Sequence, residues 1–318
     1  MFRRSATAFV SPGPTPWPGY RRRLTPRANV PGMVNESPDA RPHRRLRPTR
    51  RGKIVLVVGV LLLVSAAVLI PLSLLGSDEQ RQERDQPHKT LLIPEGRRAS
   101  EVYASVDRAL GLASGSTRKA ASTVDLKLPA QAEGNPEGYL FPATYPLDAG
   151  TEPAGLLRYM ADTAHKRFGA GHVTAGSQRN NVSVYDTVTI ASIVQAEADT
   201  ASDMGKVARV VYNRLLKDMP LQMDSTINYA LKRSTLDTTT TDTRLDSPYN
   251  SYRVKGLPPT PIGNPGEEAL RAAVSPTPGP WLYFVTVGPG DTRFTDDYAE
   301  QQKNVEEFNR SRGTGGSD

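Results

Sequence analysis

Apolar positions fall into distinct regimes along the chain. From Ile54 to Leu75 they are nearly continuous, IVLVVGVLLLVSAAVLIPLSLL, without a charged residue. Those 22 residues extend about 33 Å as a helix, enough to cross a bilayer. After residue 89 the pattern becomes periodic. TLLIP (Thr90 to Pro94) reads as a short strand. Val102, Val106, Ala109 and Leu110 then recur at helical spacing, with Ser100 as the expected cap. STRKAASTVDLKLPAQAEGNP reads as a linker or a second short strand. Leu156, Leu157, Met160, Ala164 and Phe168 mark an amphipathic helix over Thr151 to Phe168. Met204, Val207, Val210, Val211 and Leu215 mark another from about Asp203 to Lys217. Residues 232–247 form a polar loop, and Asn264-Pro265 followed by Glu267 starts a further helix. WLYFVTV (Trp281 to Val287) is the clearest strand. A terminal helix from Thr295 carries Tyr298, Val305 and Phe308 on its expected inward face. Mixed elements of this kind predict an α+β fold beyond the apolar span.

The central stretch, SVYDTVTIASIVQAEADT (Ser183 to Thr200), reads as one buried helix that delivers Glu197 at its far end. Ser183 can cap a helix and Asp186 completes a capping box. Ile190, Ile193 and Glu197 share one stripe, which puts a carboxyl group on an otherwise apolar face. Loss of water there would hold the proton on the acid, as a general acid requires. The ordinary alternative is a solvated glutamate at a helix end.

Charge divides the chain. Residues 1–53 hold 13 Lys and Arg against 2 acidic residues, a net of +11, while the remainder holds 27 against 31, a net of −4. The first segment is rich in Pro and Arg, and predicts a disordered tail. Arg50, Arg51 and Lys53 precede the apolar span, and Asp78 and Glu79 follow it. The positive-inside rule then makes 1–53 a cytoplasmic tail that sets topology rather than a nucleic-acid arm, 54–75 a retained single-pass membrane anchor, and 76–89 an external stalk. Cysteine is absent, and the four histidines (His43, His88, His165, His172) lack metal-ligand spacing. There is no G-x-S-x-G elbow, P-loop or dinucleotide fingerprint. No metal or cofactor is expected.

Two further stretches carry polar and aromatic groups. Gln222, Asp224, Ser225, Thr226 and Asn228 cluster within MPLQMDSTINYAL, which suits a polyhydroxyl ligand or merely caps and turns. EGYLFPATYPL, with Tyr139, is either an extended core segment or an aromatic wall on which sugar rings stack.

ASIVQAEA, VARVVYNRL, LQMDSTINYAL, YNSYRVKGLPPTPIGNPG and WLYFVTV, in this order, resemble the endolytic murein transglycosylase, or YceG-like, family. The resemblance runs from about residue 90 to 310. It implies a small LysM-like module over 90–130, a catalytic domain over 131–312 and a frayed tail over 313–318. The family's catalytic glutamate falls on Glu197. Its polar cluster falls on Gln222, Asp224, Ser225 and Thr226, and its tyrosine and proline-rich loop on Tyr249, Asn250, Tyr252, Gly256, Leu257, Pro258 and Pro259. A second glutamate common in the family is Gln195 here. Near the places of two family histidines stand Thr292 and Gln301.

The resemblance implies cleavage of the MurNAc-GlcNAc β-1,4 bond within peptidoglycan strands, leaving 1,6-anhydroMurNAc ends. Such an enzyme would terminate or trim nascent strands at the cell membrane. Its partners would be cell-wall polymerases and division or elongation proteins. Two other readings stand beside it. One is an inactive murein-binding scaffold of the synthesis machinery, and the other a hydrolase that uses a second carboxylate.

Overall fold

The protein is described by a computed structural model covering residues 89–233 and 238–314. The expected tail (1–53), membrane anchor (54–75) and nearly all of the stalk lie outside the described residues. No helix among the described residues is long and apolar enough to cross a membrane.

The chain begins with strand β1 (Lys89–Leu92), helix α1 (Ala99–Leu110) and helix α2 (Ser116–Ala121), then strand β2 (Thr144–Leu147). β1 and β2 pair antiparallel, with Leu91 opposite Tyr145. Ser100 is not the cap of α1. Arg98 holds that place, because Glu101 turns back to accept from the Arg98 N–H at 2.9 Å. Nor is 116–121 a linker or strand. The Asp107 carboxylate accepts from the Gly115 and Thr117 N–H groups and the Thr117 hydroxyl, which fixes the start of α2. The burial of Leu91, Val102, Val106, Leu140, Tyr145, Leu157 and Met160 in one cluster shows that this small core does not close at residue 130. It needs β2 and the first half of helix α3 (Pro153–Phe168).

A larger core surrounds helix α5 (Val184–Glu197), which follows α4 (Gly171–Arg179) and precedes α6 (Ala201–Leu216). The capping box is present: Ser183 Oγ accepts from Asp186 N–H, and the Asp186 carboxylate accepts from Ser183 N–H. Every residue from Thr187 to Val194 is buried, so α5 is a central helix rather than an amphipathic one. Its buried hydroxyls are satisfied locally. Thr189 donates to Tyr185 O, and Ser192 donates to Thr189 O while accepting from Ile262 N–H. α5 stops at Glu197, three residues short of the expected end, where Ala198 turns extended (φ −144, ψ 140).

Helix α7 (Asp224–Ala230) and helix α8 (Glu267–Val274) complete the helical layer. A hairpin of β3 (Tyr283–Gly288) and β4 (Asp291–Thr295) follows, with Phe284 opposite Phe294, and then helix α9 (Tyr298–Thr314). Asn264, wholly buried, ties the two cores together. Its Oδ1 accepts from Leu140 N–H at 2.7 Å, its Nδ2 donates to Arg97 O at 2.7 Å, and its carbonyl accepts from Gly96 N–H at 2.8 Å.

Candidate active site

Glu197 is the last residue of α5 and lines a groove of about 740 Å³. A central helix thus ends at the groove, and its final side chain lines it. The first turn of α7 faces it. Ser225 Oγ donates to Glu197 Oε1 at 2.6 Å, with the Ser225 N–H 3.4 Å from the same oxygen. Glu197 Oε2 has no partner among the described residues. Burial is the largest influence on this carboxyl group and raises its pKa. The Ser225 hydrogen bonds oppose the rise, and the charge of Asp224 adds to it. The arrangement therefore presents one anchored oxygen and one oxygen able to carry a proton toward the groove.

Asp224 lines the same groove, and Tyr252 OH donates to its Oδ1 at 2.6 Å. Burial first, and then that bond, push the Tyr252 hydroxyl above its ordinary value. Gln222 also lines the groove, with its backbone in the left-handed region (φ +53) and its N–H donating to Ser251 O at 2.9 Å. Five of the residues expected from sequence, Gln222, Asp224, Ser225, Asn228 and Tyr252, thus line one groove with Glu197.

The other four do not. Thr226 lies on the buried face of α7, where its hydroxyl donates to Met223 O at 2.8 Å. Asn250 is buried too, because its Nδ2 donates to Thr243 O and Leu245 O and so closes the loop before it. Tyr249 packs on Tyr229 and bonds Thr260 Oγ1 at 2.9 Å, away from the groove lining. Tyr139 is no sugar platform. It is 3% exposed, with its ring stacked on Tyr185 and edge-on to Phe168, because apolar rings this close gain more as core than as surface. Gln195, at the place of a second family glutamate, accepts from Gly266 N–H at 2.9 Å and fixes that turn.

The expected inward face of the terminal helix is also different. Tyr298 is 61% exposed and Val305 is exposed as well. With Phe308 they line the groove that holds Glu197, which explains an apolar stripe that does not enter the core. Gln301 on the same helix donates to Phe284 O at 3.2 Å, and Thr292 pairs with Thr286 at 3.0 Å on the hairpin.

Among the groove residues that the sequence reading did not single out, Arg98, Arg214 and Arg233 are cations, and Arg214 is the most deeply buried of them. Arg214 is 6% exposed. Its Nε donates to Leu282 O at 2.7 Å, and its Nη1 to Pro220 O, Leu221 O and Gln222 Oε1 at 2.9, 3.0 and 2.9 Å. Its guanidinium lies over the Tyr283 ring. Burial lowers its pKa, yet a guanidinium keeps its charge. The signal was present in the sequence: Arg214 follows Val207, Val210 and Val211 at helical spacing, a cation on a buried stripe. Among the described residues no group of three or more His, Cys, Asp or Glu is placed to hold a metal ion.

The YceG-like family model matches residues 72–307. An endolytic murein transglycosylase of Bacillus subtilis (strain 168) is 37% identical over 177 residues, covering 55% of this chain and 49% of that protein. One of Streptococcus pneumoniae serotype 2 is 31% identical over 264 residues, covering 73% of this chain and 48% of that protein. The chain therefore spans about half the length of the curated relatives it matches. A crystal structure of a yceG-like protein from Listeria monocytogenes superposes with a TM-score of 0.61 at 28% identity, covering 71% of this chain and 78% of that one.

Proposed function

The chain belongs to the YceG-like family, and on that premise we propose that it is an endolytic murein transglycosylase. One observation carries the reading: Glu197 lines the groove with Oε1 held by Ser225, Oε2 unpartnered among the described residues, and its proton favoured by burial. The relatives' names supply the substrate class.

In the proposed cycle Glu197 gives its proton to the glycosidic oxygen between MurNAc and GlcNAc, and the bond from C1 to that oxygen breaks. The carboxylate then takes the proton of the MurNAc C6 hydroxyl as that oxygen closes onto C1. The products are a 1,6-anhydroMurNAc end and a GlcNAc hydroxyl, and Glu197 is protonated again. No water is consumed. The nucleophile belongs to the substrate, so holding the sugar in place does part of the work. One carboxylate suffices, whereas hydrolysis uses a second as nucleophile or base. Asp224 is engaged by Tyr252 and serves as a positioning group. Ser225 orients the acid, and the exposed Tyr298 offers a ring to the glycan. Glu197→Gln keeps shape but cannot donate. Turnover of purified murein strands should fall by at least about a hundredfold, and near-normal turnover would end the proposal.

Residues 1–53 are proposed to be cytoplasmic, 54–75 to cross the membrane once, and the catalytic part to lie outside. The charge asymmetry around the apolar span supports this orientation. The strand–helix–helix–strand unit formed by β1, α1, α2 and β2 is the proposed LysM-like module. Cell-wall polymerases and division or elongation proteins are the proposed partners. Reporter fusions at each terminus test the orientation, and an N-terminal reporter active outside the cell would overturn it.

A further inference from the structure

Gln222 occupies a backbone region costly to any residue with a Cβ (φ +53). The position is held on both sides. Its N–H donates to Ser251 O, and Pro220 bridges Lys255 across the same turn. Its side chain is fixed as well. Arg214 Nη1 donates to Gln222 Oε1 at 2.9 Å. A guanidinium offers only donors, so the amide oxygen must face Arg214 and the NH₂ must face away. That NH₂ has no acceptor among the described residues, and Gln222 is exposed in the groove that holds Glu197. No carboxylate among the described residues forms an ion pair with Arg214, whose hydrogen bonds go to backbone carbonyls and to Gln222 Oε1.

We propose that Gln222 is a fixed donor for a substrate carbonyl, and that it makes the enzyme select N-acetylated over N-deacetylated sugars. The inference rests on the murein reading above. Along such a strand the acetamido carbonyl is the strongest neutral acceptor, and it recurs on every sugar. A rigid NH₂ with positive charge behind it suits that oxygen. Deacetylation replaces the acceptor by an ammonium, which brings only donors. At Gln222 itself the ammonium would meet a donor with a buried cation behind it, while the Asp224 carboxylate of the same groove is already engaged by Tyr252, so this position favours one form over the other. A site that leaves a donor unpaired with the wrong substrate discriminates more strongly than an apolar pocket does.

The test compares kcat/KM of the full chain on purified N-acetylated murein strands and on the same strands chemically N-deacetylated. The wild type should prefer the acetylated form by at least about tenfold, the loss of one hydrogen bond. Gln222→Glu keeps the contact with Arg214 and removes the donors. It should stay folded by thermal melting, lose activity on acetylated strands, and bring the preference to about one or invert it toward the ammonium form. A merely structural Gln222 predicts that Gln222→Glu retains the wild-type rate and preference, which would overturn the proposal. Should the variant not fold, wild-type binding decides. The neutral N-acetylglucosamine tetramer should bind more tightly than its deacetylated counterpart, and equal binding would overturn the proposal. Cleavage of both strand types at equal rates by the wild type defeats this proposal alone. A folded wild type that cleaves neither defeats the murein reading, and this inference with it.

Discussion

Ser225 Oγ donates to Glu197 Oε1 at 2.6 Å across the junction of the central helix and α7. The bond does two opposed things. It fixes the direction of the acid, and it stabilises the carboxylate that the acid must become. Ser225→Ala removes a donor to the charged form, so the Glu197 pKa should rise further. The alkaline limb of the pH–rate profile, where the acid loses its proton, should move to higher pH. The maximum rate should fall about tenfold as the orientation is lost. A pH–rate profile of wild type and variant checks both. An unmoved limb would separate Ser225 from the acid's titration.

Glu137 is a second buried carboxyl group, outside the groove. Its Oε1 accepts from Ala99 N–H at 2.8 Å and its Oε2 from Tyr229 OH at 3.1 Å, so it joins α1 to α7. Burial pushes its pKa up to about 7, against the opposing hydrogen bonds from Ala99 and Tyr229. The folded state therefore holds this proton more tightly than the unfolded chain. Its stabilising contribution is fully present below the unfolded value and is lost as pH rises through about 7. Stability should decline by roughly 1–3 kcal/mol between pH 5 and 8 from this group. Glu137→Gln, which cannot ionise, should flatten that part of the curve. Chemical denaturation at several pH values checks it.

Much of the site's frame is legible in the sequence because it is local. The capping box at Ser183 and Asp186, the apolar run of α5 and the strand around Phe284 need only neighbours within a few residues. The fates of Thr226, Asn250 and Tyr249 are not local. Each is decided by a partner brought close by the fold, such as Ser251 for Thr226 or Thr243 for Asn250. The same holds for Tyr139, whose ring meets Phe168 and Tyr185 from two other helices. The stripe of Tyr298, Val305 and Phe308 was visible, but periodicity does not say whether an apolar face meets a core or a groove.

Gly138 carries φ +85 and lies where the small core meets the large one. A Cβ there would stand 2.6 Å from Pro261 Cβ and Cγ and 3.2 Å from Val188 Cγ1. Gly138→Ala should therefore cost roughly 2–4 kcal/mol through left-handed strain and overpacking together. Thermal or denaturant unfolding reads the loss. A change within about 0.5 kcal/mol, as at an ordinary surface site, would contradict the packing described here.

Arg214 holds the carbonyls of Pro220, Leu221 and Leu282, and so fixes the chain that leads into α7. Arg214→Met keeps the length and apolar body but strands those acceptors. It should destabilise the protein by about 3 kcal/mol, seen as a lower denaturation midpoint. An unchanged midpoint would mean that the guanidinium serves only the groove.

The most direct measurement reads the new chain ends. The full chain is incubated with purified murein strands in ¹⁸O-labelled water, and the products are analysed by mass spectrometry with Glu197→Gln in parallel. The account predicts 1,6-anhydroMurNAc ends without ¹⁸O from the wild type and none from the variant. Reducing ends carrying ¹⁸O would instead show that water attacks C1, and would contradict a single-carboxylate transglycosylase.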